Sequence, residues 1–152
     1  MLQDAGYYTA MLGKWHLGFE GGKDKEDYSG GLHGGPKDRG FDYYFGIPAS
    51  LDIPPYYWIQ NRKPLLPPTE LIEDNFSDGW TKIQGAFWRK GRIASGFVHA
   101  EVLPTLTRRA NFFLDTQAEL PSESRKPFFL YLPLPAPHTP VSYTHLTLPT
   151  KA

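Results

Sequence analysis

Lys14 and His16 stand two residues apart, between Gly13 and Gly18 and directly after the apolar stretch 8–12. An ammonium and an imidazole at this spacing can hold a tetrahedral oxyanion. The Lys is a compact point charge, and the imidazole donates a hydrogen bond or moves a proton. A second imidazole, His138, lies in Pro135-Ala136-Pro137-His138-Thr139-Pro140, where the prolines stiffen the chain around it. One Lys and two His suit a dianion or monoester whose leaving oxygen needs a proton, which is general-acid work. The other imidazoles have plainer readings. His33 sits in a glycine loop and reads as solvated. His99 precedes a helix and reads as a capping or surface residue, and His145 receives no role.

Both candidate groups need strand ends to hold them. Residues 7–13 read as a strand. Alternation would then point Lys14 and His16 the same way, at the edge where open α/β sheets place ligands. Residues 1–6 read as the tail of a helix closed by Gly6. Residues 18–40 contain eight glycines and mixed charges, which predicts a long loop. A short strand is expected within 39–46, an irregular aromatic segment over 53–66, and mostly loop over 67–97. The clearest helix spans about 102–119, with Leu103, Leu106, Ala110 and Phe113 on one apolar face, Pro104 in its first turn and Pro121 as its stop. Residues 128–132 are apolar on both faces, as in a buried parallel strand. Helix, short loop and buried strand make half of a βαβ unit.

Composition limits the alternatives. The 152 residues carry 16 basic and 16 acidic side chains, with no basic run to suggest nucleic acid. No apolar stretch of about 18 residues suggests a membrane span, and no leader pattern is visible at residues 1–4. Cysteine is absent, which excludes a disulfide framework or a thiol nucleophile. Aromatics at 15% argue for a packed chain despite 15 glycines and 15 prolines.

The segment from Gly6 to Gly18 resembles the second sulfatase signature, G-Y-x-T-x-x-x-G-K-W-H-x-G, at every fixed position. Three further stretches are similar to sulfatases in the same order: Gly35-Pro36-Lys37-Asp38-Arg39-Gly40-Phe41-Asp42-Tyr43-Tyr44-Phe45-Gly46, then Lys126-Pro127-Phe128-Phe129-Leu130-Tyr131, then Pro137-His138-Thr139-Pro140. The resemblance covers about residues 1–140. It looks closest to bacterial arylsulfatases of the formylglycine type, and implies an alkaline-phosphatase-like α/β fold with a mixed sheet flanked by helices, of which this chain is part. It also implies hydrolysis of an aryl or carbohydrate sulfate ester, either a small molecule or a glycan. In such enzymes a Cys or Ser in C/S-x-P-S-R becomes the formylglycine nucleophile, and a calcium ion polarises the sulfate. Carried over, Lys14 would contact the sulfate and the formylglycine hydroxyl. His16 would assist deprotonation of that hydroxyl, and His138 would contact the sulfate or the leaving oxygen.

The departures are equally specific. C/S-x-P-S-R does not occur, and neither the Asp-Asp nor the Asp-Asn metal pair of the family has a match. The metal ligands are therefore expected outside this chain, with none held here, and the chain alone is expected to be inactive. Truncation is expected at both ends. Residues 141–152 resemble translated adapter read-through and are left out of the fold reading. Two rivals remain: a phosphoryl hydrolase of the same superfamily, and a non-catalytic fragment or pseudoenzyme. Periplasmic or secreted placement is implied by the resemblance alone. Asp42 reads as structural, and Tyr56, Tyr57 and Trp58 either line a sugar site or pack a loop.

Overall fold

A computed structural model describes residues 2–20, 28, 31–76 and 87–136. His138, His145 and the segment 141–152 lie outside the described residues. The sheet has five strands. In chain order they are β1 (Tyr8–Lys14), β2 (Tyr43–Ile47), β3 (Ile59–Gln60), β4 (Lys63–Pro64) and, at the far end of the chain, β7 (Phe128–Tyr131). Their spatial order is β4-β3-β2-β1-β7. β1 pairs parallel with both β2 and β7, whereas β3 and β4 run antiparallel. The sheet is therefore mixed, and β1, flanked by β2 and β7, is its best-buried strand at the motif: Ala10 and Leu12 are fully buried and Met11 almost so.

One helix, α1 (Val102–Glu119), covers this sheet. Val102, Leu106, Ala110, Phe113 and Gln117 form its buried stripe at three–four spacing. Val102 takes the place expected of Leu103, one position along the same face. Phe113 stacks on Tyr8 at 6.1 Å and meets Phe128 edge-on at 5.4 Å, so the helix spans β1 and β7. Arg109 sits 4.4 Å over the Phe45 ring of β2.

Residues 2–6 form the capped turn expected. The Tyr7 amide donates to Leu2 and the Gly6 amide to Gln3, the paired bonds of a helix C-terminus, with Gly6 at φ 83. The described residues of 67–97 are mostly loop, as expected, with one antiparallel pair, β5 (Glu70–Ile72) and β6 (Gly91–Ile93). Isolated bridging of Tyr56 to Ile93 ties this small sheet to the aromatic segment. One expectation is corrected: among the described residues β7 is not a buried strand but lies at the sheet edge, with Phe128, Phe129 and Tyr131 each at least 40% exposed. Apolar residues on both faces do indicate a strand, but which neighbours cover it is decided by topology, not by the strand's own sequence.

Candidate functional site

The site grows from the carboxyl end of β1. Its last residue, Lys14, donates its amide to Pro133 beyond β7, at 2.8 Å. The next amide, of Trp15, goes to Ile47 at the end of β2 (3.0 Å), and that of His16 to Pro48 (2.9 Å). Three consecutive backbone bonds thus fasten Lys14-Trp15-His16 to both neighbouring strand ends. Close approach makes this possible. A Cβ on Gly13 (φ 148) would strike the Pro133 carbonyl, and a Cβ on Gly46 would land on the Gly13 carbonyl. The fully buried Tyr44 hydroxyl donates within β2 to the Ile47 carbonyl at 3.1 Å, the same carbonyl that accepts the Trp15 amide. Burial pushes its pKa well up, so it remains a neutral donor.

Lys14 is half-buried, and among the described residues it has no ion-pair partner. A positive point charge at a strand end is thereby left available. His16 does not continue the strand. β1 ends at Lys14, and His16 takes φ 65, a left-handed conformation in which a non-glycine residue is under strain. Strand alternation therefore does not orient its ring, contrary to the expectation. Instead its Nδ1 lies 3.3 Å from the Oγ of Ser50, a residue only 3% exposed. If Ser50 donates, Nε2 carries the ring proton and is the outward donor. If it accepts, Nε2 is the outward base. His16 also lines a cavity of about 110 Å³ with Phe19, Pro48, Ala49 and the Ile53-Pro54-Pro55 wall. Lys14 does not line it.

Ser50 escaped sequence reasoning. Nothing around Ala49-Ser50-Leu51 marks it as chemical. It reaches His16 only because β2 runs parallel to β1 and ends level with it, pairing Ile47 with Lys14. β7 also ends beside β1, so the segment Pro133–Ala136 that leads toward His138 starts next to Lys14. His138 itself is beyond the described residues.

Asp42 has the structural role expected of it. Its carboxylate accepts the Thr9 amide and hydroxyl, both at 2.9 Å, and the Gln3 side-chain amide at 2.8 Å. The Thr9 amide bond first, and then the side-chain bonds, hold its carboxyl below the usual range. Tyr56 and Tyr57 are buried at 2% and 0%, so they pack the core and do not line an open sugar site. Trp58 is half-buried and stacks on Phe45 at 5.1 Å. His99, expected near the surface, is 6% exposed beneath aromatic rings.

The Sulfatase family model matches residues 1–150. The chain belongs to the sulfatase family. It is 36% identical to arylsulfatase G of Rattus norvegicus over 95% of its own length and 26% of that protein's. It is 29% identical to an N-acetylgalactosamine-6-O-sulfatase of Bacteroides thetaiotaomicron over 92% of its length and 31% of that protein's. A solved sulfatase chain, from work on the metabolism of multiple glycosaminoglycans by the same bacterium, superposes with a TM-score of 0.66. It shares 26% identity, and the match covers 91% of this chain and 33% of that one. The fold is therefore alkaline-phosphatase-like α/β, present in part. This sulfatase chain spans about a quarter to a third of the length of the curated relatives it matches. Among its described residues no three His, Cys, Asp or Glu side chains converge to hold a metal, and no helix is long and apolar enough to cross a membrane.

Proposed function

We propose that this chain carries part of the substrate-recognition site of a sulfuric ester hydrolase. The observation behind the reading is the junction of β1, β2 and β7, where three successive amides fix an unpaired Lys14 beside a Ser50-supported His16. Lys14 would neutralise a sulfate oxygen, and His16 would donate to the ester or take a proton from the attacking hydroxyl. His138, two residues past the described Ala136, would approach the sulfate or the leaving oxygen from the β7 side. Calcium is the cation proposed for the whole enzyme, where it would act as a Lewis acid on sulfate. The described residues do not fit it, so no step here runs through a metal. The substrate is an aryl or carbohydrate sulfate ester, and the whole enzyme is placed in the periplasm or outside the cell.

With no Cys and no C/S-x-P-S-R, the chain has recognition groups without the family's attacking group. It should therefore bind a sulfate ester weakly and turn none over. Residues 141–152 are proposed to be non-native, although the family match runs through most of them; sequencing the locus independently tests that. Calorimetric titration of the chain with 4-nitrophenyl sulfate tests the site. Lys14→Ala and His16→Ala should each weaken binding, and 4-nitrophenyl phosphate in parallel separates sulfatase from phosphatase preference. Unchanged binding in both variants would remove the site from this strand junction. Release of nitrophenol by the purified chain would overturn its inactivity.

A further inference from the structure

The edge strand β7 offers a row of backbone groups that no described residue takes up. It bonds β1 through its odd-numbered residues: at the two ends, the Tyr8 amide donates to Pro127 at 2.9 Å and the Lys14 amide to Pro133 at 2.8 Å. Alternation along a strand then turns the amides and carbonyls of Phe128, Leu130 and Leu132 the other way, out of the sheet. The Leu132 carbonyl takes the Leu134 amide at 3.0 Å. The outward groups of Phe128 and Leu130 have no partner among the described residues. Sheet edges are commonly blocked by a charge, a proline or a bulge. The opposite edge, β4, carries the first two in Lys63 and Pro64. β7 carries neither, and no charged residue occurs from Pro127 to Pro137.

Both faces of the strand are apolar and open. Phe128, Phe129, Tyr131 and the following Leu132 are each about two-fifths exposed or more. Phe128 lies on the α1 face, against Phe113, and Tyr131 on the other, stacked on Phe41 at 6.3 Å. The strip continues onto α1. At 3.6 residues per turn the exposed Leu114 is turned about 140° from Arg109. Arg109 lies over Phe45 of β2, so Leu114 faces the β7 flank.

We propose that β7 is a self-association edge: a second copy of this chain pairs with it antiparallel about a two-fold axis at Leu130, joining two five-stranded sheets into one. A copy fits because the strand is complementary to itself. With Leu130 opposite Leu130 of the second copy, the two exchange amide and carbonyl, and the Leu132 amide of each meets the Phe128 carbonyl of the other. The same register sets Phe128 against Leu132 on the helix face, and Phe129 against Tyr131 on the other face, an aromatic pair formed twice. No like charges meet along the strands, and a chain with 16 basic and 16 acidic residues does not repel its copy. The area is modest: at about 200 Å² for a whole large side chain, the exposed parts of these residues and Leu114 come to roughly 400 Å² per copy. Two such surfaces lie at the low end of specific interfaces, so the dimer is weak, with a dissociation constant of about 10–100 µM. The two Lys14 junctions fall at opposite ends of the paired strands, so the ester site neither needs the dimer nor is covered by it.

Sedimentation velocity of the full chain over about 5–500 µM tests the proposal, with exchange of the Leu130 amide followed by nuclear magnetic resonance at both ends of that range. Wild type should pass from monomer to dimer, and the Leu130 amide should exchange about threefold or more slowly at the higher concentration. Cysteine pairs test the register, since the chain has no cysteine of its own. Phe129→Cys mixed with Tyr131→Cys should form disulfide-linked dimers at least about fivefold faster than either variant alone, because only residues directly opposite approach bonding distance. Both positions are exposed, and the wild-type exchange measurement decides the matter even where a variant folds poorly. A monomer at every concentration would overturn the proposal, as would a dimer in which Leu130 exchanges as freely as in the monomer. Protection of Leu130 at all dilutions would also overturn it, by showing the edge covered by the chain's own residues. Growth beyond a dimer, or crosslinking no faster in the mixture than in the separate variants, would do the same. None of these outcomes touches the Lys14 and His16 reading, which 4-nitrophenyl sulfate binding tests separately.

Discussion

His99 should make this chain acid-sensitive well above the range in which its carboxylates titrate. The ring is 6% exposed, stacked on Trp88 at 4.3 Å and met edge-on by Tyr56 at 4.5 Å and Phe97 at 5.4 Å. Its Nε2 is buried without a hydrogen-bond partner. Burial pushes its pKa down from 6.5 to about 4. Between those values the unfolded chain binds a proton that the folded chain refuses, so stability rises with pH across the window and is lost as pH falls from 6.5 toward 4. From about pH 7.5 to about pH 5 the loss is about 2 kcal/mol. Asp38 and Asp42, whose pKa values are lowered, stay ionised over this range and add no slope. Urea unfolding followed by tryptophan fluorescence at the two pH values measures the difference. His99→Phe should abolish it and should be at least as stable near neutrality, because it removes a buried nitrogen that lacks a partner, at about 1–3 kcal/mol for such a group. An opposing effect exists: an imidazolium against aromatic faces gains ~0.5–2 kcal/mol. If that attraction offset burial, wild type would show a flat profile. A flat profile, or an unchanged slope in His99→Phe, would refute the assignment.

Three further perturbations test the frame around the site. Asp42→Ala strands the amide of Thr9, which is 2% exposed, while the Thr9 hydroxyl keeps the Gly40 carbonyl; the change should cost about 1–3 kcal/mol in urea unfolding. Asp42→Asn, which keeps one acceptor, should cost about half as much. Gly46→Ala drives a Cβ into the Gly13 carbonyl, backbone against backbone, so β1 and β2 must part; we expect more than about 3 kcal/mol, against about 1 kcal/mol for Gly96→Ala, where φ is 71 but nothing lies within 4 Å. Equal costs at Gly46 and Gly96 would mean that strand approach is not the constraint. His16→Gly should stabilise the chain by about 1 kcal/mol, by relieving a left-handed residue, while weakening 4-nitrophenyl sulfate binding; His16→Ala should lose binding without that gain.

β1, its parallel neighbour β2 and the helix were legible because each carries its own signal. The run after Gly6, the Gly-bounded aromatics before Ile47, and the spacing of Leu106, Ala110 and Phe113 are local patterns. β5 and β6 were not, because three-residue strands have no period to detect, and their pairing joins Glu70 to Ile93 across a long intervening segment. His99 was misread for the same reason. Its neighbours in sequence suggest a helix entrance, but its burial comes from Tyr56, 43 residues away, and from Trp88. The exposure of β7 is the converse case: its apolar faces were read correctly, and the number of neighbours was not encoded in them.

The site shows why the motif was easier to find than its geometry. Gly13, Lys14 and His16 are recognisable as a string, but what positions them is backbone pairing to residues about 30 to 120 positions away. Lys14 is held by Pro133, Trp15 by Ile47 and His16 by Pro48. None of these bonds depends on the identity of the partner's side chain, so no spacing in the sequence announces them. Glycine announces itself only by a missing Cβ, whose purpose at Gly13 and Gly46 emerges once the strands are paired. Because the backbone alone carries the positioning, Lys14 is spared from holding the fold together, and its charge stays free for an anion. His16 is different. Its amide is held by Pro48, but its ring depends on Ser50 and its φ is strained, so the imidazole is the part of the junction that stability alone would not have placed there.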